Sequence, residues 1–505
     1  MQDKVISFLS SAAGHPGGDQ VEVVQTHGAL VFLAGEVALK IKRAVHYDYM
    51  DLRTLAQREA MLRRELALNQ PVAPQIYRDV VPVTVQSGGK LALNGTGRPV
   101  EWVLRMKRFP AAHELSVIAK SKGISDALAD DLGREVHAFH AQTPVRRCDG
   151  AKLIADILDE LARVFTDMGA DLGQDRIARF ERDSRATLET IAPLLRQRGK
   201  AGRVRRGHGD LHLRNLVLID DRPVPFDALE FDEILGTCDV LYDLAFLLMD
   251  LRHHGLDRAA NITLNAYLLA AAGDEDSSLA ALPLFLSVRA AIRAMVTVQT
   301  AAATGGPADG EAVGFLDDAV SFLRPAAPVL VLLGGLSGAG KTTVSRALAP
   351  LIGTCPGAVH LRSDLERKSM RDTAPEQRLD VEAYAPDARH AVYDRLFSRA
   401  GRILATGHSV LIDATFLDEP MRAAAKELEL KSCVASRSLW LDAPLPTLIE
   451  RVQARLGDAS DADGAIVRQQ YAHADIPFGW VAICATGTIE ATVNLAMQAI
   501  DLRPE

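Results

Sequence analysis

Cysteine is scarce in this 505-residue chain: there are five (Cys148, Cys238, Cys355, Cys433, Cys484), none spaced as CxxC. An odd number of widely separated cysteines cannot close into an all-disulfide framework, so a reducing, cytoplasmic setting is expected. Long hydrophobic runs are also missing. The richest stretch, from Leu279 to Val296, is broken by Arg289 and Arg293, and no membrane span is expected. The opening residues place Asp3 and Lys4 before a short apolar patch, which makes a poor secretory leader and a reasonable first amphipathic helix. Positive charge is not in excess: 57 Lys and Arg against 65 Asp and Glu give a net charge of −8. Such a chain lacks the broad positive field that neutralises a nucleic-acid backbone, which disfavours long nucleic acid as a partner and leaves only local basic pockets. No internal repeat and no low-complexity segment is present.

What remains is an ordinary globular balance, 48% hydrophobic and 24% charged residues, with room for two to four cores at about 100–200 residues per domain. Short β-type runs from Val21 to Gln25, Ala29 to Leu33 and Val37 to Ile41 are split by turn residues and predict an antiparallel meander. The pattern from Thr54 to Asn69 predicts a helix; Val80 to Val85 and Glu101 to Met106 predict further strands. Helical patterning dominates from about Ser116 to Gln197 and from Cys238 to Leu323, around a loop-and-strand insert from Val204 to Phe231. The clearest boundary is Leu323-Arg-Pro-Ala-Ala-Pro328, after which strands and helices alternate as a parallel α/β sheet requires.

That second part opens with a phosphate loop. Gly335-Leu-Ser337-Gly338-Ala339-Gly340-Lys341-Thr342-Thr343 fits GxxxxGK[ST] between the apolar strand Val329 to Leu333 and a helix expected from Thr342 to Leu351. Glycines let successive amides point at one phosphate, Lys341 reaches the outer phosphates, and the Thr342 hydroxyl suits magnesium. A second strand ends in Arg362-Ser363-Asp364, with Arg367 just beyond, where acceptors bind in open parallel sheets. Asp364 reads either as a base for an acceptor hydroxyl, with Arg367 as a clamp, or as a helix N-cap. A third strand from Ser409 closes on Asp413, either a magnesium-ordering carboxylate or a turn residue, and Leu439 to Leu441 predicts a further strand. Arg451 and Arg455 are four apart, which suits one helical face, as a lid over the phosphates or as a solvated surface. The acidic run containing Asp461, Asp463 and Gly464 lacks two oxygen ligands of a calcium loop, with Ala459 and Gln470 in those places, and reads as a lid or substrate loop.

On the Walker loop, Arg-Ser-Asp364, Leu-Ile-Asp413-Ala-Thr and the Arg451/Arg455 pair, this half resembles small phosphate-loop kinases of the polynucleotide-kinase, gluconate-kinase and zeta-toxin type, often labelled AAA-family ATPases. It carries no second-region arginine finger or sensor pattern of a ring translocase, which argues against a motor.

The first part carries His208-Gly-Asp210-Leu-His-Leu-Arg-Asn215, an HxDxxxxN run, and downstream Phe226-Asp227. One carboxylate to deprotonate a hydroxyl, with an amide oxygen and a second carboxylate for metal ions, is the demand of phosphoryl transfer. A zinc reading of His208 and His212 fails for want of a third ligand. Val37-Ala38-Leu39-Lys40 matches the VAIK strand pattern, with Ala38 and Lys40 on one face. Glu59 and Glu65 are the available ion-pair partners on the following helix, and Glu65 is favoured. Glu230, Asp232 and Glu233 read as a solvated acidic loop or as an attractor for a cationic acceptor.

From about Val21 to Leu323 these residues resemble the aminoglycoside-phosphotransferase and choline-kinase-like branch of the protein-kinase fold. The resemblance implies Asp210 as base, Asn215 and Asp227 as magnesium ligands and Lys40 as phosphate contact. The branch departs here in one respect: no GxGxxG covers the phosphates, and the turn at Thr26-His27-Gly28-Ala29 is all that stands there.

The whole is similar to a bacterial fusion: an α+β protein-kinase-like two-lobed domain (1–323; N-lobe about 1–110, helical C-lobe about 111–323), a linker (324–328), and an α/β P-loop domain with a parallel sheet (329–505). The resemblance implies two ATP and Mg2+ sites and small-molecule hydroxyl acceptors. Two alternatives stand beside it: one catalytic domain with an ATP-sensing neighbour, or a polynucleotide or nucleotide-sugar kinase in the C-terminal half.

Overall fold

The computed structural model describes residues 1–500 except 19, 27, 48–49, 305–309, 455–459 and 474. The chain forms two compact units: Met1–Ile124 with Ala138–Leu153 and Arg196–Asp250, and Ser125–His137 with Ile154–Leu195 and Leu251–Glu505.

The first unit is built on a six-stranded antiparallel sheet in the order Glu22–Gln25, Ala29–Ala34, Val37–Lys42, Arg98–Lys107, Tyr77–Val85, Leu91–Leu93. The first three strands are the expected meander. Alternation sorts the sheet's two faces. Phe32, Leu39, Ile41 and Val83 pack with Val5 and Leu9 of helix Gln2–Leu9. Ala38, Leu104 and Met106 pack with Leu62 of helix Leu55–Asn69, on the face that also carries Lys40. That helix starts where the sequence dictates, since Thr54 and Gln57 form a reciprocal capping box. Beyond the sheet, Val204–Arg206 pairs with Thr237–Asp239, and the hairpin Leu216–Ile219/Arg222–Pro225 turns on Asp220 and Asp221, both at positive φ.

The second unit holds a five-stranded parallel sheet in the order Val359–Arg362, Val410–Asp413, Val329–Gly335, Ala435–Asp442, Val481–Cys484. Helices Lys341–Leu348 and Ile489–Ile500 bury Val344, Leu348, Val493 and Ala496 against it. Two expectations need correction, and one strand was missed. The helix after the phosphate loop ends at Leu348 and tightens into a 3-10 turn, Ala349–Leu351, where Pro350 has no N–H to donate. The strand expected at Leu439 to Leu441 runs from Ala435, because its polar first half still pairs by backbone. The exposed edge strand Val481–Cys484 carries no periodic signal and was not expected. The apolar stretch Asp276–Ala303 is long enough to cross a membrane, yet 67% of its most apolar window is buried inside the fold, as in a core helix.

This unit gathers helices from before the Leu323–Pro328 punctuation. Asn261 Nδ2 donates to the Ala358 carbonyl at 3.0 Å and Asn265 Oδ1 accepts from the His360 amide at 2.7 Å, both at the sheet's edge strand. Buried Arg399 lies between Asp276, at 2.9 Å, and Glu366. Removing one partner of such a cluster leaves buried charge uncompensated. Arg399→Ala is therefore expected to cost about 3–5 kcal/mol, read as a lowered urea midpoint of the full chain; an unchanged midpoint overturns the assignment.

Candidate functional sites

In the first unit Lys40 Nζ lies 2.7 Å from both Glu65 Oε1 and Asp227 Oδ1. Burial works to lower the Lys40 pKa, but Asp227 and Glu65 outweigh it and hold the ammonium well above the ordinary lysine value. Desolvation raises the Asp227 carboxyl and Lys40 outweighs that too, so Asp227 is ionised below the usual carboxylate range. Asp227 sits at φ +60, and its amide donates to the Tyr77 hydroxyl at 3.0 Å. Asn215 gives its Nδ2 to the Asp210 carbonyl and to Asp210 Oδ2, each at 2.9 Å, which leaves Oδ1 as its cation-type donor. Asp210 and Asn215 are thus joined directly, and Asp227 follows Phe226, whose amide donates to the Asn215 carbonyl at 3.0 Å; a divalent cation fits the amide oxygen and carboxylate present.

His208 and His212 do not converge on a metal. His208 Nε2 bonds the Phe226 carbonyl at 2.9 Å and burial lowers its pKa, while His212 Nδ1 accepts from the Arg214 amide at 3.2 Å. Of the acidic run only Glu230 is buried; Asp232 accepts the Ile234 and Leu235 amides, and Glu233 is exposed but engaged in ion pairs. Glu230 is buried against Lys42 at 2.5 Å, and Glu233 pairs with Arg64, Arg146 and Arg206. Glu59 pairs with Arg63. Lys42, which also reaches Glu65 Oε2 at 2.7 Å, was missed although alternation puts it on the Lys40 face. Asp243 was missed as well. Fully buried on helix Val240–His253, it accepts the His208 and Gly209 amides at 2.7 and 3.0 Å and so fixes the loop that carries Asp210. A lone acid in the apolar run Val-Leu-Tyr-Asp243-Leu-Ala was its only signal. Of the turn over the phosphates, His27 lies outside the described residues.

In the second unit the loop residues Ser337, Gly338, Ala339, Gly340, Lys341, Thr342 and Thr343 share a cavity of about 1010 Å³ with Asp364, Arg367, Asp413 and Arg451. Gly335, Gly338 and Gly340 have φ of 138°, 88° and 89°. A Cβ on Gly338 would stand 2.4 Å from the Leu448 carbonyl, so glycine is required on both conformational and steric grounds. Thr342 Oγ1 donates to Asp413 Oδ2 at 2.7 Å, a hydroxyl and carboxylate pair that suits magnesium. Burial pushes the Asp413 carboxyl up, but His360, Lys341 and Arg362 prevail and set it at about 2. Asp364 is not the N-cap; it lies in the first turn of helix Ser363–Ser369 and pairs with Arg367 at 2.9 Å. Arg367 in turn stacks over Tyr384, 4.7 Å from the ring centre.

Arg451 Nη2 donates to the Ala485 carbonyl at 2.8 Å. Its helix is Leu445–Gln453, and Arg455, the other member of the expected pair, lies outside the described residues. Asp461 is tied within the fold, accepting from Tyr384 Oη at 2.6 Å and the Leu379 amide at 3.0 Å. Spacing could not reveal these partners, nor the Arg389–Asp418 pair at 2.7 Å on the same cavity wall.

A family model described as an AAA domain matches residues 330–477. Shikimate kinase of Rhodopseudomonas palustris is 33% identical over 178 residues, 34% of this chain and 75% of that one. A solved choline/ethanolamine kinase family protein from Mesorhizobium loti is 17% identical, with TM-score 0.40, over 64% of this chain and 94% of that one. The phosphate-loop geometry, the family match and the kinase relative together make the chain an ATP-dependent kinase, with an α+β unit built on an antiparallel sheet and a P-loop α/β unit. Uncharacterized protein Rv2004c of Mycobacterium tuberculosis is 31% identical over 467 residues, 90% of each chain, and the present chain belongs to the same family.

Proposed function

We propose that the chain is a bifunctional, magnesium-dependent phosphotransferase in which each unit transfers a phosphoryl group from ATP to a hydroxyl of its own small-molecule acceptor. The observation that carries this reading is duplication: each unit holds its own phosphate-facing lysine, metal-type oxygen pair and acceptor-side carboxylate. In the first unit Asp210 takes the acceptor proton, Lys40 contacts phosphate under the control of Glu65, and Asn215 and Asp227 hold the cation. In the second, Asp364 takes the proton beside Arg367, the loop amides and Lys341 hold the phosphates, and Thr342 and Asp413 hold the cation. Arg451, with Arg455, covers the phosphates. Magnesium supplies charge neutralisation on the triphosphate. None of the five cysteines is joined in a disulfide, which supports a cytoplasmic setting.

The test is ADP release from the full chain against a panel of polyols, aminocyclitols, amino alcohols, nucleotide sugars and 5′-hydroxyl oligonucleotides. The expected result is two acceptor classes that do not compete with each other. One class alone sinks bifunctionality and favours an ATP-sensing role for the other unit.

A further inference from the structure

The phosphate loop is engaged by a side chain from elsewhere in its own unit. Gln470, on helix Gly464–His473, accepts the Ser337 amide N–H through Oε1 at 2.9 Å. Ser337 lies inside the GxxxxGK[ST] loop, and its amide is one of the donors such a loop offers to phosphate. An amide oxygen at 2.9 Å is the geometry a phosphate oxygen would take on that donor. Lys341 is satisfied internally as well, its Nζ donating to the Gly335 and Leu336 carbonyls at 3.0 and 3.1 Å.

Gln470 is not a stray surface contact, because its helix is fixed on both sides. Val467 is fully buried among Leu448, Val452 and the sheet core. The loop that precedes the helix is tied through Asp461 to Tyr384 and the Leu379 amide, on the wall that carries Arg367. One rigid element therefore touches the phosphate loop at one point and is joined to the acceptor side at another.

We propose that Gln470 is a built-in competitor for the phosphate loop, a neutral stand-in for a phosphate oxygen that nucleotide must displace. Displacement moves helix Gly464–His473, and the Asp461–Tyr384 tie passes that movement to the acceptor wall, so nucleotide occupancy sets acceptor access. Glutamine suits this role: a neutral amide oxygen satisfies the loop N–H yet yields to a charged phosphate, whose hydrogen bonds are stronger. The inference rests on the reading of this loop as a nucleotide site.

The experiment is an Mg·ADP titration of the full chain carrying Trp102→Phe, followed by tryptophan fluorescence. Only Trp440 and Trp480 then remain, both packed beside Gly334 at the entry to the loop, so the signal reports the second unit. Removing the competitor, Gln470→Ala is expected to tighten Mg·ADP by about 3–10-fold, since a state closed to ligand no longer competes. Gln470→Glu, whose carboxylate holds the Ser337 amide more strongly and repels phosphate, is expected to weaken it by about tenfold or more. Opposite signs are what a merely structural glutamine would not give. If both variants bind more weakly, or if Gln470→Ala binds unchanged, the competitor role is wrong while the nucleotide site stands. If the parent chain shows no saturable signal, the nucleotide reading falls and this inference with it.

Discussion

Asp210→Ala is expected to lower phosphoryl transfer by the first unit about 10²–10⁴-fold in kcat and to leave its ATP affinity within about threefold. The separation follows from which groups Asp210 touches. Its carboxylate is joined to Asn215 Nδ2 at 2.9 Å and His212 Nε2 at 3.3 Å, whereas the phosphate-facing cluster is Lys40 with Glu65 and Asp227. Removing the carboxylate takes away the proton acceptor without disturbing the Lys40 pairs, and Asp243 still holds the loop through the His208 and Gly209 amides. The measurement is single-turnover transfer to whichever acceptor the panel identifies, alongside ATP affinity of the same variant. A loss below tenfold, or an ATP affinity that falls in step with kcat, defeats the assignment of Asp210 as base. A simultaneous loss of transfer to the other acceptor class would replace two independent enzymes with one enzyme and its regulator.

What could be read from sequence divides along a physical line. The phosphate loop and the Asp210–Asn215 run are legible because their chemistry is contiguous: neighbouring amides or side chains a few residues apart converge by local backbone geometry. The Lys40–Glu65 pair is legible one step further, through strand alternation and a following helix with two candidate acids. The supports are another matter. Asp243, the Lys42–Glu230 pair, the Asp461–Tyr384 tie and Gln470 on Ser337 join positions 35, 188, 77 and 133 residues apart in the chain. No local period signals them, since their pairing is decided by how elements pack. The same holds for organisation. Two prolines at the end of Leu323–Pro328 mark a break in the chain, but compactness is set by non-local burial, and Asn261, Asn265 and Asp276 draw earlier helices into the unit of the parallel sheet. Asp364 shows the limit within a motif: two roles fitted the sequence, and only helix geometry removed the N-cap.

Lys341→Ala is expected to lower transfer by the P-loop unit about 10²–10³-fold, the usual scale for losing one preorganised charge at a phosphoryl centre. Lys341 stands at the first position of helix Lys341–Leu348, and its Nζ now rests on the carbonyls of Gly335 and Leu336, within the loop that phosphate would occupy. Swinging from those carbonyls to a phosphate exchanges two neutral acceptors for a charged one, so the lysine contributes most when charge builds on the transferring group. Thr342 and Asp413 form a separate pair and remain in place in this variant, which keeps the loop's fold and cation donors intact. The loss should therefore appear in kcat as well as in nucleotide affinity, with an unchanged urea midpoint. Transfer to the acceptor of the first unit should persist, because that unit's lysine is held by its own acids. An affinity loss with undiminished kcat would make Lys341 a binding contact alone. A chain that loses both activities would show that nucleotide in the P-loop unit licenses its neighbour, and the duplication of parts would then mean control of one reaction, not two reactions side by side.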